Sequence, residues 1–164
     1  MKKVGLISDT HGFIHPGLEE FFSEVDEIWH AGDIGRKGLL QKISNGKTIR
    51  AVYGNIDDQK IRQEFPEYEL FTIEEMIVAI LHIGGYPGKY TPKAKEIIHN
   101  EKPDIFISGH SHILKVIYDK KNNLLHLNPG AAGKSGLHNK ITFMKFVIDG
   151  NDIKDLEIKE HPRG

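Results

Sequence analysis

The chain has 164 residues, 38% hydrophobic and 27% charged, a composition that suits one folded, water-soluble domain with a real core. Lys and Arg number 22 against 23 Asp and Glu, so a formal charge of -1 excludes the strong positive field of a duplex-binding or anionic-membrane protein. Cysteine is absent, which excludes disulfides and thiolate metal sites and leaves His, carboxylate and amide oxygen as the available metal ligands.

Lys3 to Ser8 is a short apolar run, fit for a buried strand. Pro16 to Val25 reads as a helix, with Leu18, Phe21, Phe22 and Val25 on one face. Glu27 to His30 reads as a strand, Lys37 to Ser44 as a helix stopped near Asn45-Gly46, and Thr48 to Tyr53 as a third strand. This alternation favours a parallel sheet covered by helices. Tyr68 to Ile73 and Met76 to His82 form a predicted hairpin, and Pro92 to Asn100 a helix opened by proline. Then come strands at Ile105 to Ser108, Leu114 to Tyr118, Leu124 to Leu127, Ile141 to Ile148 and Ile153 to Ile158. The simplest architecture is two sheets packed face to face with helices outside, in a single domain over 1–164. No apolar run approaches the roughly 18 residues of a membrane span. The apolar start is interrupted at Asp9 before it reaches signal-peptide length, so a cytoplasmic protein is expected.

Five of these strands are followed by metal-capable side chains. Asp9 and His11 follow the first, Asp33 the second, Asn55 the third, His82 the strand from Met76, and His110 and His112 the strand from Ile105. Parallel strands point their carboxyl ends the same way, and ligands of open α/β sheets bind there. Glycines beside most of these residues allow sharp turns and close approach. The i, i+2 pairs Asp9/His11 and His110/His112 would project to one side of an extended segment. Carboxylate, imidazole and amide oxygen without thiolate suit Mn, Fe, Zn or Ni. Seven side chains are too many for one ion and about right for two sharing a carboxylate, with Asp33 the natural bridge. Two ions about 4 Å apart clamp an in-line displacement at phosphorus. The expected cofactor is therefore a pair of divalent ions from that group, and the expected reaction hydrolysis of a phosphate ester by attack of water held at the two ions.

Read together, D-x-H, G-D, G-N, a lone His and G-H-x-H resemble the calcineurin-like metallophosphoesterase superfamily, in its small single-domain prokaryotic phosphodiesterase branch. The resemblance implies a four-layer α/β/β/α sandwich of two mixed sheets. It implies that Asp9, His11 and His112 hold one ion, that Asn55, His82 and His110 hold the other, and that Asp33 bridges them. Catalysis would then run through Asp33, Asn55 and His82 by way of the metals. Two departures stand out. The larger family writes Gly-Asn-His-Asp/Glu where this chain has Gly54-Asn55-Ile56-Asp57, so the general acid is unassigned. Ile83 also separates His82 from Gly84, where the family usually has His-Gly.

Weaker candidates surround this set. His15, Arg36, Tyr86 and Lys89 lie on loops beside the ligand motifs and are candidate substrate contacts, with solvated surface positions as the plain alternative. Asn55 and Asp57 could instead cap a helix after them, and Asp9 could cap the first helix. His30 and His126 read as strand-borne core residues, His99 as a helix-end cation, His161 as part of a polar tail, and His138 as less apt than His15 to reach the site. The favoured partner is a small phosphoester or nucleotide-like substrate, diesters before monoesters. A homo-oligomer is compatible with this reading. The rival class is a metal-binding scaffold on the same fold, like the retromer subunit, which has lost part of its metal set.

Overall fold

The computed structural model describes residues 1–164 as ten strands and four helices. In the first sheet, β1 (Lys2–Ile7), β2 (Glu27–His30) and β3 (Thr48–Ala51) run parallel, while β9 (Lys140–Asp149) and β10 (Asp152–Pro162) pair antiparallel on the far side of β1, in the order β10-β9-β1-β2-β3. The second sheet has the order β4-β5-β6-β8-β7, built from β4 (Tyr68–Ile73), β5 (Met76–Leu81), β6 (Ile105–Ile107), β7 (Lys115–Asp119) and β8 (Leu124–Asn128). Its centre, β5-β6-β8, is parallel and both edges are antiparallel.

The period-2 alternation of strand side chains explains the layers. Val4, Leu6, Trp29 and Phe146 of the first sheet meet Val78, Ile80, Ile105 and Leu127 of the second in one buried cluster. Trp29 ties the sheets together: its ring meets Phe71 of β4 edge to face at 5.0 Å, and its Nε1 donates to Glu27 Oε1. The alternate residues point outward. Ile7 and Ile28 pack on Leu18, Phe22 and Val25 around α1 (Leu18–Phe21), and Ala79 and Leu81 on Ala94, Ile97 and Ile98 of α4 (Pro92–Glu101). α2 (Leu39–Ser44) and α3 (Gln59–Glu64) cover Ala51 beside β3. The result is the expected four-layer sandwich. Strands buried on both faces are why the sequence shows continuous apolar runs instead of alternation.

Local chemistry sets the helix limits. α4 has Thr91 as its N-cap, accepting the Ala94 N–H, with Pro92 in the first turn. The first helix is shorter than the expected Pro16 to Val25: only Leu18–Phe21 is helical, and tight turns carry the rest. Its N-cap is Gly17, with no side chain to satisfy the first N–H groups. The apolar face is buried all the same, because Phe22 and Val25 reach the sheet from those turns. The cap of α3 is Asp58, which accepts the Ile61 N–H, and not Asn55 or Asp57. β10 extends past Ile158 to Pro162, so His161 belongs to a strand paired with Ile141 and not to a tail. No helix is long and apolar enough to cross a membrane.

His126 on β8 is wholly buried, with Nδ1 bonded to Phe106 O at 3.1 Å and Nε2 without a partner. Burial pushes its pKa down from 6.5 to about 4. The unfolded chain therefore takes up a proton that the folded chain refuses, and stability falls as pH drops from 6.5 toward 4. The loss from this one group should reach about 3 kcal/mol at pH 4. Urea unfolding of wild type and His126→Gln at pH 7, 5.5 and 4 should show a shallower decline in the variant.

Candidate metal centre

The loops that follow β1 and β2 stay paired beyond the strands. Asp9 N donates to Gly32 O, His11 N to Asp33 O and Gly12 N to Ile34 O. Across the seam between the sheets, His82 Nδ1 donates to Ala31 O at 2.7 Å, and within the second sheet Gly109 N donates to His82 O. These bonds, with the parallel pairing of β2 and β3, bring the ends of β1, β2, β3, β5 and β6 together.

All seven side chains singled out in the sequence meet there. The ligand atoms of Asp9, His11 and His112 lie within 4.8 Å of one another, and so do those of Asp33, His82 and His110. Asn55 Oδ1 joins the second group, 3.0 Å from both His82 Nε2 and His110 Nδ1. Asp33 Oδ2 stands between the groups, 3.5 Å from His11 Nε2 and 3.2 Å from His82 Nε2. Asp9 Oδ1 lies 3.2 Å from His112 Nε2.

Asp9, Asp33 and His82 are each held by their other end. Asp9 Oδ2 accepts Ser8 Oγ at 2.6 Å and the His110 N–H at 3.1 Å, leaving Oδ1 to face the cluster. Asp33 Oδ1 accepts the Ile56 N–H, leaving Oδ2. Because Ala31 O can only accept, His82 Nδ1 carries a proton toward it, and Nε2 is the nitrogen left to face the cluster. The backbone is equally particular. Asp9, His11, Asp33, His110 and His112 all have φ between 47° and 68°, so the paired ligands stand on left-handed turns and not on extended segments. Non-glycine residues seldom adopt this conformation, which is found where structure around them enforces it. Gly54 admits the closest approach: a Cβ there would strike the Asp33 carboxylate.

The donor set fits divalent cations on two observations. Asp9 Oδ1 and His11 Nε2 are buried with no hydrogen-bond partner, although such orphans are rare, and they lie 3.9 Å apart. The two carboxylates also draw positive charge to this spot. Burial acts to lower the His82 pKa, but Asp33 and Asp9 outweigh it and hold the imidazole above its ordinary value. Burial likewise acts to raise Asp33, while His82, the Ile56 N–H and His11 carry it below the usual carboxylate range. A cation satisfies the same demand.

The substrate candidates are not part of this cluster. His15 stacks on His161 at 4.0 Å, with Nδ1 accepting the Gly17 N–H. Arg36 is exposed and its Nε donates to Gly12 O beside His11. The Tyr86 ring meets Lys115 Nζ at 4.7 Å, and Lys89 donates its backbone N–H to Tyr86 O. An open groove of about 420 Å³ does border Asn55 and His82, lined also by Tyr53, Ile83, Thr91 and Lys93. A larger cavity, about 750 Å³ beside α4, lies among Tyr90, His99, Lys102 and Asp119 and includes none of the seven.

Three supporting residues were not assigned such roles from the sequence. Asp57 does not cap α3; its buried carboxylate accepts the N–H groups of Gly54, Ile34 and Gly35 and so clips the Asn55 loop to the Asp33 loop. His30 bridges Thr10 Oγ1 and Gly32 N, and burial pushes its pKa down to about 3, so it stays neutral. His138 Nδ1 lies 3.2 Å from His112 Nδ1. Only the position of Asp57, two residues after Asn55, carried a hint.

A double-sheet sandwich with Asp, His and Asn gathered at its strand ends in two neighbouring clusters defines the class of proteins built to hold a dinuclear metal site. The family profile of the calcineurin-like phosphoesterase superfamily domain matches residues 1–151, and the chain belongs to that superfamily. It is 30% identical over 160 residues to the "Probable metallophosphoesterase" of Methanothermobacter thermautotrophicus, covering 94% of this chain and 90% of that protein. Identity to a similarly named protein of Methanocaldococcus jannaschii is also 30%, over 96% of this chain and 82% of the other. Among solved structures, an archaeal phosphodiesterase superposes with a TM-score of 0.75 at 20% identity, covering 96% of this chain and 99% of the other. Vps29 of Chaetomium thermophilum gives 0.78 at 12% identity, over 98% and 97%. These two likenesses establish the fold.

Asp57→Ala strands three backbone N–H groups. It should lower stability by about 2–4 kcal/mol in urea unfolding and weaken Mn²⁺ binding about 10–100-fold by titration calorimetry.

Proposed function

We propose that this protein hydrolyses phosphate esters, diesters in preference to monoesters, with two Mn²⁺ ions held by Asp9, His11, Asp33, Asn55, His82, His110 and His112. The observation that carries this reading is the convergence of seven oxygen and nitrogen donors, two of them buried orphans, at the ends of five strands. When bound, such ions supply Lewis acidity toward phosphoryl oxygens and lower the pKa of water. The two carboxylates balance only part of the charge on two divalent ions, so the site stays cationic and matched to a phosphate anion. Asp33 holds its place by Ile56 N–H, and His82 by Ala31 O, so neither has to reorganise as charge develops.

The diester preference rests on the likeness to the small phosphodiesterase branch, an archaeal phosphodiesterase among its solved structures, and on the position after Asn55. Ile56, 46% exposed, has no proton to give a leaving group. Substrates whose leaving oxygen departs with little help, or with a proton from water, are therefore favoured over those that must expel a free alkoxide. The groove beside Asn55 and His82 gives Lys93 and Tyr53 as its cationic and aromatic walls, and this suits a nucleotide-like group. Arg36, beside His11, is a second cation near the site.

Metal-stripped protein should hydrolyse bis(p-nitrophenyl) phosphate when Mn²⁺ is added and lose at least ~100-fold of that rate in Asp33→Asn, a larger drop than an outer-shell change gives. Turnover of p-nitrophenyl phosphate alone would reverse the diester assignment. Tight Mn²⁺ binding with no turnover of either ester would favour the metal-binding scaffold.

A further inference from the structure

His138 lies in the loop that joins β8 to β9, outside every motif of the metal centre, yet its ring meets His112 edge to face at 5.0 Å. Its two nitrogens face different partners. Nε2 is 2.8 Å from Gly133 O, and a carbonyl oxygen can only accept, so Nε2 carries the proton. Nδ1 is 3.2 Å from His112 Nδ1, and two facing nitrogens cannot share a hydrogen bond unless one alone has the hydrogen. With Nε2–H committed to Gly133, neutral His138 offers a lone pair at Nδ1, and His112 must supply the Nδ1–H. His112 Nε2 is then the nitrogen left for a cation, and it faces Asp9 Oδ1 at 3.2 Å, an acceptor-only atom whose lone pair a shared cation would match.

The surroundings make this a closed ring of contacts. Gly133 N donates to Asp9 O at 3.0 Å, so the residue that orients His138 is bonded to the carboxylate-bearing residue His112 faces. Gly136 lies flat against the pair. Its φ is +127°, and a Cβ there would strike the His112 ring. Arg163, next to the end of β10, holds the loop down by donating to Gly136 O through its guanidinium and to Asn139 O through its N–H. His82, on the other cluster, has Ala31 O in the same service. Imidazole ligands commonly have their second nitrogen held in this way, with effects on metal affinity of about 10–100-fold.

We propose that His138 is a positioning residue for the metal centre: it holds His112 as the Nδ1–H tautomer and so reserves His112 Nε2 for the ion shared with Asp9 and His11. The assignment rests on the metal-binding reading above. It makes the two ions unequal, since only the Asp9–His11–His112 cluster depends on the 133–138 loop.

The test is titration calorimetry of metal-stripped wild type, His138→Ala and His138→Asn with Mn²⁺, beside the thermal unfolding of each metal-free protein. The amide oxygen of Asn stands near the place of Nδ1 and can accept from His112. His138→Ala should weaken one of two binding events about 10–100-fold, leave the other within threefold of wild type, and leave metal-free unfolding within a few degrees. His138→Asn should recover most of the loss. Long-range ¹⁵N–¹H spectra of wild type loaded with diamagnetic Zn²⁺ supply a check that needs no variant: His112 should carry its proton on Nδ1 and His138 on Nε2. Equal binding by wild type and His138→Ala, equal losses in Ala and Asn, or an Nε2–H tautomer at His112 would each overturn the role of His138. Wild type that binds no Mn²⁺ would overturn this assignment and the metal reading together, so the two failures are distinct.

Discussion

Asp9 and Asp33 are two carboxylates buried to 0% and 2% exposure, with the same two imidazoles, those of His11 and His82, within 3.9 Å of each. Like charges taken out of water together are costly unless positive charge joins them. The rest of the centre follows from that constraint. Ser8 Oγ and the N–H groups of His110 and Ile56 satisfy the outer oxygens, and imidazoles face the inner ones. Neutralising either carboxylate would remove the reason for the imidazoles to gather.

The sandwich is what allows those carboxylates to meet. Asp9 and Asp33 end adjacent parallel strands of the first sheet, and His82, His110 and His112 follow parallel strands of the second. The packed inner faces, with Trp29 against Phe71 between them, set the sheets so that both sets of strand ends open onto one seam. Left-handed turns at five of the seven donors then turn each side chain inward. Such turns are unfavourable for residues with a Cβ, and the backbone bonds from Asp9 to Gly32 and His11 to Asp33 hold them. The donors are thus braced by backbone bonds that need no ion, the kind of preorganisation on which electrostatic stabilisation depends.

Much of this was legible along the chain because strands and short-range spacing leave local marks. β2 was read to its limits, and the five donor-bearing strand ends could be placed because each apolar run stops at a polar residue, in most cases beside glycine. Other features left no such mark. The first helix was read too long because Phe22 and Val25 keep helical spacing while reaching the sheet from turns. Asp57 and Asp58 are neighbours of one type, and nothing local says that the first clips two loops while the second caps α3. His15 was preferred to His138 as a group that could reach the site, yet it is His138 whose ring lies against a donor, His112. His138 is 26 residues from His112 in sequence but beside it in space, and His15 is committed to a stack with His161 on β10.

The sequence by itself determined the kinds of atom available: carboxylate, imidazole and amide oxygen without a thiolate, each at the end of an apolar run, and an isoleucine where a proton donor could stand. Those are properties of single residues and their near neighbours, and a linear chain displays them. The tertiary structure alone decided which oxygen of each carboxylate faces inward, which nitrogen of each imidazole is left bare, and which residues brace them. A tautomer or a lone pair is selected by the group on its far side. For His82 and His112 that group, Ala31 O or the His138 ring, is brought up only when distant segments pack.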